Sequence, residues 1–172
     1  MATKLTYKPK MQRCSCCGEE KPLSEFYTQA YTGIPTQQCK TCINVKRSVQ
    51  RHKDRHSKFI SKEKQRSMQS VDYSLSDWRD SMLHFGGRCA YCGAPEGRAK
   101  ASKFDREHFV PLSRGGETLR HNIGPACRAC NRGRGNKKIA DWYRDQPFWT
   151  QERENKIIQW IGPDAAKVEG LK

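Results

Sequence analysis

Between Phe104 and Lys138 the chain reads FDREHFVPLSRGGETLRHNIGPACRACNRGRGNKK. A carboxylate precedes a histidine (Glu107-His108), Pro111 stands three residues on, and Gly115-Gly116 marks a turn. Asn122 follows, and Cys127-x-x-Cys130 runs directly into Asn131. Phosphodiester hydrolysis needs a base for water and a positive centre for the developing charge and the leaving oxygen. Neighbours on a strand point to opposite faces. Glu107 and His108 can therefore divide the work, one holding a metal and the other facing the attacking water. Asn131 sits at a rigid helix start, one residue after a cysteine of metal-ligand spacing, and can complete the metal site across from Glu107. A lone Glu-His on a strand is usually structural, but the ordered set is far more specific.

The cysteines carry a second chemistry. Eight of nine fall into four Cys-x-x-Cys pairs: Cys14/Cys17, Cys39/Cys42, Cys89/Cys92 and Cys127/Cys130. Two sets of four match the ligand count of two structural zinc sites. Sequence order groups the first two pairs together and the last two together. Gly18 and Gly93 follow the second cysteine of each opening pair and allow the tight turn of a zinc knuckle. Cys17 rather than Cys16 is therefore the expected ligand, with Cys16 a bystander. A redox reading of a single pair needs a βαβ pattern, which the sequence does not offer.

These sites need elements to hold them. Lys10 to Val45 reads as a compact zinc module with few apolar positions: Leu23, Phe26, Tyr27, Tyr31 and Ile34. Ile43 to Arg66 contains nine Lys/Arg, two acids and no Pro or Gly, so a helix is expected. It is either a solvated linker or an arm along DNA phosphates, and the overall charge favours the arm. His52 and His56, four residues apart and without a third ligand, read as helix surface or phosphate contacts and not as a metal site. The polar stretch Gln69 to Ser74 is a candidate hinge. Ser76 can cap a helix ending at Phe85, and Gly86-Gly87 stops it. Lys103 to Val110 reads as a strand. A helix from about Cys127 is expected to continue through Trp142 and Tyr143 to Pro147, and Ile157 to Ile161 suggests a short C-terminal helix. The expected division is 1–45 for the zinc module, 46–72 for the basic arm and 73–172 for the catalytic part.

The chain has 172 residues, 35% hydrophobic and 30% charged, with a net charge of +15. So basic a chain suits a polyanionic partner, nucleic acid first. No apolar run approaches the roughly 20 residues of a membrane span, and MATKLTYKPK lacks the apolar core of a signal peptide. An intracellular protein without a membrane role is expected. Metal binding supplies the folding energy that so small a core lacks.

The stretch from about Arg88 to Lys138 resembles the HNH endonucleases, whose site is a ββα-metal unit. The resemblance implies a small, zinc-stabilised α+β fold: a treble-clef or zinc-ribbon-like N-terminal module, then a ββα-metal unit with flanking helices. It implies that His108 is the general base and that Glu107 and Asn131 bind one catalytic divalent cation, commonly Mg²⁺. Asn122 would hold the loop that orients His108. Cys89, Cys92, Cys127 and Cys130 would bind one structural zinc, and Cys14, Cys17, Cys39 and Cys42 the other. The N-terminal module resembles those of some phage HNH proteins and small two-zinc restriction enzymes. One departure is that Asp is more usual than Glu before the histidine, and Asp105 lies on the same strand face as a possible second ligand.

The expected partner is double-stranded DNA, cut at specific sites in a restriction, homing or phage role. Lys46, Arg47, Arg51 and Arg55 of the arm, and Arg114, Arg132, Arg134, Lys137 and Lys138 beside the site, are the expected phosphate contacts. His121 is a further candidate for phosphate or metal. A double-strand cut with one site per chain is simplest for a homodimer. The competing reading is a non-catalytic zinc-dependent DNA- or RNA-binding module.

Overall fold

The computed structural model describes residues 10–66, 71–97 and 103–172, without the side chain of Asp54. Most of the N-terminal stretch read for a signal peptide, and the start of the candidate hinge, lie outside these residues. Among the described residues no helix is long and apolar enough to cross a membrane.

Four short strands open the chain. β1 (Met11–Arg13) pairs antiparallel with β2 (Glu20–Pro22), and β3 (Phe26–Thr28) with β4 (Pro35–Cys39). Cys14 and Cys17 sit in the first hairpin, where Gly18 takes the positive φ of 73° that its turn requires. Cys39 ends β4, and Cys42 lies in the first turn of α1 (Lys40–Arg66). Phe26 is buried against the cysteines, whereas Tyr31 and Ile34 are exposed. Those two residues sit near the tip of a hairpin and form no core.

α1 departs most from the sequence reading. Cys42, Val45, Val49, His52, His56, Phe59 and Glu63 recur at alternating spacings of three and four and form a buried or half-buried stripe. Spacings of three and four put side chains on one helix face. The helix is therefore neither a free linker nor a free arm. Its inner face is docked, and its outer face keeps Lys46, Arg47, Lys53, Lys58 and Lys62 in solvent. His52 is fully buried rather than on the surface.

The chain pins this helix with Glu96. Its carboxylate accepts from Arg51 at 2.5 Å, meets His52 Nε2 at 2.8 Å and accepts the Phe104 backbone N–H at 3.2 Å. Burial pushes the Glu96 carboxyl up, but the contacts with His52 and Arg51 outweigh it and hold the group at about 2. A depressed carboxyl pKa adds stability that is complete above the unfolded value of 4.5 and is lost as pH falls toward 2. At 1.36 kcal/mol per unit this amounts to about 3 kcal/mol at neutral pH. Glu96→Gln is expected to lower the denaturant midpoint at pH 7 and to flatten the acid limb between pH 4.5 and 2. Equal acid sensitivity of variant and parent would contradict the assignment.

The C-terminal part is built on a third antiparallel pair. β6 (Asp105–His108) lies against β8 (Ile123–Ala126), with Glu107 opposite Gly124 and His108 opposite Ile123. A Cβ on Gly124 would come within 2.5 Å of the Phe109 ring, so only glycine permits this packing. β5 (Val71–Asp72) runs parallel to β7 (Thr118–Leu119). Around the pair pack α2 (Leu75–His84), α3 (Arg128–Arg134), α4 (Ile139–Tyr143) and α5 (Gln151–Val168). Ser74, not Ser76, caps α2, because only Ser74 makes the reciprocal capping box with Asp77. The helix expected from Cys127 to Pro147 is two helices. Gly135, at φ 56°, ends the first. α5 is longer than expected and bends at Gly162. The core joins Trp78, Met82 and Phe85 to Tyr91, Phe104, Phe109, Ile123, Tyr143, Ile157 and Trp160.

Candidate active site and metal centres

The two cysteine sets close in space. The Sγ atoms of Cys14, Cys17, Cys39 and Cys42 lie within 4.8 Å of one another, and so do those of Cys89, Cys92, Cys127 and Cys130. Cys14 and Cys42 sulfurs are 3.8 Å apart, as are those of Cys92 and Cys127. Zn–S bonds of about 2.3 Å in a tetrahedron put sulfurs about 3.8 Å apart, so both sets fit zinc. Backbone N–H groups point at the sulfurs, as thiolates require: Cys39 to Cys14 at 3.2 Å and Cys127 to Cys89 at 3.3 Å. Cys16 is exposed and lies outside the cluster.

α3 starts at the second cluster. The strand pair β6–β8 followed by α3 forms a ββα unit whose helix faces one side of β6. Asp105 and Glu107 share that face. Asn131 Nδ2 lies 3.3 Å from Asp105 Oδ2. Arg106 and His108 project from the opposite face toward α1, with the Phe59 ring 5.0 Å from the Arg106 guanidinium and 6.3 Å from the His108 ring. Asp105, Glu107, His108 and Asn131 line one cavity of about 500 Å³, whose other wall is Arg55, Phe59, Lys62, Glu63 and Arg66 of α1.

Glu107 has other obligations. It is buried, and its Oε1 accepts from the Tyr91 hydroxyl at 3.1 Å and from Arg134. Burial pushes its carboxyl up to about 7 against the pull of Arg134 and Tyr91. The carboxylate that meets Asn131 is thus Asp105, with Glu107 beside it. Asp105, Asn131 and Glu107 are oxygen donors in an open polar cavity and fit a hard divalent cation such as Mg²⁺.

His108 is 14% exposed. Its Nε2 lies 3.0 Å from the Thr118 hydroxyl and 3.8 Å from Glu63 Oε2. Burial pushes its pKa down to about 4, with Arg66 and Arg134 adding to the effect, so the ring is the neutral base at physiological pH. Asn122 fixes the loop that follows. Its Oδ1 accepts Val110 N–H at 2.7 Å, and its Nδ2 donates to Val110 O at 2.9 Å and to Glu117 O at 2.8 Å. A Cβ on Gly116 would sit 1.8 Å from Val110 O, so the turn needs glycine there. Asn122→Ala strands three half-buried backbone groups, and each buried group left unpaired costs at most about 1–3 kcal/mol. It is expected to lower both stability and turnover, read by denaturant midpoint and cleavage rate. A variant matching the parent in both would deny Asn122 this role.

The basic residues separate into two groups. Lys46, Arg47, Arg132, Lys137 and Lys138 are exposed, and Arg55 lines the cavity. Arg51 is taken by Glu96 and Arg114 by Glu169 at 2.8 Å. Arg134 is not a surface clamp at all. It is 1% exposed, pairs with Glu107 and with Glu169 at 3.2 Å, and donates to the carbonyls of His108 and Phe109. His121 hydrogen-bonds the Trp160 carbonyl at 3.3 Å instead of facing the cavity. Sequence reasoning missed the roles of Arg134, Tyr91, Thr118 and Glu63. For Arg134 a signal existed: it follows Cys127, Cys130 and Asn131 at helical spacing, so it must face β6 with them. Arg134→Ala removes the buried cation between Glu107 and Glu169 and the donors to two interior carbonyls, and is expected to cost about 3–5 kcal/mol by chemical denaturation. A cost below about 1 kcal/mol would show that the cluster is not structural.

Residues 89–142 match the family of HNH endonucleases. This segment is an HNH domain. The match spans the second zinc set, Glu107, His108, Asn122 and Asn131, and leaves out the N-terminal module, α1 and α5. Among solved structures, the Type II-C Cas9 enzyme from Actinomyces naeslundii is similar at 21% identity and a TM-score of 0.40. The similarity covers 75% of this chain and 16% of that one, too slight a likeness to add to the domain assignment. No curated protein matches.

Proposed function

We propose that the chain is a metal-dependent DNA endonuclease with His108 as general base, serving as a site-specific restriction, homing or phage-type enzyme. One observation carries the reading: the HNH domain places a neutral histidine and an Asp105–Asn131 pair on opposite faces of β6, in one cavity. The divalent cation, when bound by Asp105, Asn131 and Glu107, supplies charge stabilisation at the scissile phosphate. His108 takes a proton from water, and the hydroxide attacks phosphorus in line, breaking its bond to the 3′-oxygen, which leaves and takes a proton from solvent. Asn122 keeps the His108–Pro111 turn in place. Exposed Lys46, Arg47, Arg132, Lys137 and Lys138 supply phosphate contacts, which position DNA without reading its sequence. The expected ends are 5′-phosphate and 3′-hydroxyl. The domain division 1–45, 46–72 and 73–172 is part of the same proposal, with α1 bridging the parts.

The test is supercoiled plasmid with Mg²⁺ and with EDTA. Cutting in Mg²⁺ alone supports the reading. Discrete linear fragments would indicate site-specific double-strand cleavage, and open circles a nickase. DNA shifted on a gel but left intact with every divalent ion would favour a binding module instead.

A further inference from the structure

Glu63 lies outside the matched segment, on the docked face of α1, and has no place in the scheme above. It is 3% exposed, and its Oε2 is buried without a hydrogen-bond partner. A buried carboxylate oxygen left unpaired is costly, so the fold keeps it only against a compensating charge or donor. Two groups face it. Arg66 Nη1 stands 3.8 Å from Oε1, and His108 Nε2 stands 3.8 Å from Oε2. Arg55, Lys62 and Arg106 line the same cavity and keep its potential positive.

From this geometry, and resting on the nuclease reading, we infer that Glu63 is a positioning residue for His108. With Thr118 it holds the ring proton on Nε2 and leaves the Nδ1 lone pair for water. Thr118 alone does not decide the tautomer, because its hydroxyl either donates to Nε2 or accepts from it, and the 3.0 Å contact suits both. The Glu63 oxygen breaks that tie, because a carboxylate 3.8 Å away favours a proton on the nitrogen nearest to it. When Nδ1 takes a proton from water, the same carboxylate faces the new imidazolium and stabilises it, as the third member of a nucleophile–base–orienter set does. The helix that leads out of the first zinc module thus completes the catalytic face of a domain that begins more than twenty residues later. Phe59, one turn earlier on α1, packs on the His108 ring and fixes its plane.

The test uses the zinc-loaded full chain and needs no DNA for its main readout. Long-range ¹⁵N–¹H spectra at pH 8 report the tautomer of each of the five histidines, with His108→Ala assigning the signal. The parent is expected to show His108 protonated on Nε2. Glu63→Gln is expected to shift it toward a mixture and to lower kcat at least about tenfold with KM held. Glu63→Asp, which withdraws the charge by one methylene, is expected to show the same change in smaller measure. An Nδ1–H tautomer in the parent, or an unchanged tautomer in both variants, overturns the inference whatever the rates. If the parent does not cut DNA, the nuclease reading falls, while the spectra still decide the role of Glu63.

Discussion

Replacing His108 with alanine is expected to slow cleavage by about 10³-fold while leaving DNA affinity within about twofold. General-base catalysis typically contributes about 10²–10⁴, and in the scheme above no other group removes the proton from water. Affinity should survive because the ring carries no charge in the working range: burial, aided by Arg66 and Arg134, holds it at about 4. It therefore gives no ion pair to a phosphate. The fold should survive because Asn122, Arg134 and the β6–β8 register hold the local backbone without the imidazole. The measurement is a single-turnover cleavage rate beside a gel shift. A variant cutting within tenfold of the parent would remove His108 from the mechanism, and a parallel loss of binding would make it a contact residue.

What the sequence disclosed follows a physical boundary. The Cys-x-x-Cys pairs and the Glu-His, Asn and Cys-x-x-Cys-Asn string are local constraints, so their spacing is visible in one dimension. The docked face of α1 is not. Its stripe has the right spacing, but three of its members are His52, His56 and Glu63, and it is set among nine Lys/Arg. A reading by hydrophobicity registers a solvated helix. What these groups face is remote in sequence: Glu96 pairs with His52, and His108 stands 3.8 Å from Glu63. Arg134 escaped for the same reason. One arginine among several looks like a phosphate clamp until Glu107 and Glu169 are found on either side of it. The cap of α2 and the break after α3 turn on one or two residues, where pattern reading is coarsest. The choice between Asp105 and Glu107 as partner of Asn131 depends on which carboxylate Arg134 has already taken.

The two zinc sites should differ sharply in what their loss does. The first cluster is nearly the whole core of its module. Buried with it is Phe26, with Leu83 packed alongside. Cys42→Ser should melt that module, yet α1 keeps Val45, His52 and the Glu96 clamp to hold it on the rest of the chain. The second cluster sets the start of α3, and through it the positions of Asn131 and Arg134. Cys89 and Cys130 also belong to the large core. A structural zinc contributes about 10–16 kcal/mol of apparent binding energy, comparable to the roughly 5–15 kcal/mol total stability of an ordinary domain. Cys130→Ser is therefore expected to abolish the cooperative unfolding transition at 25 °C, and cleavage with it. All four tryptophans lie in the C-terminal part, so their fluorescence reports that part alone. Denaturant melts followed by tryptophan should be nearly unchanged in Cys42→Ser and lost in Cys130→Ser, while zinc released to a colorimetric chelator falls from two equivalents per chain to one in the first variant. Equal damage from both substitutions would mean that the modules fold as one cooperative unit, with α1 transmitting the loss of the first zinc to the active site.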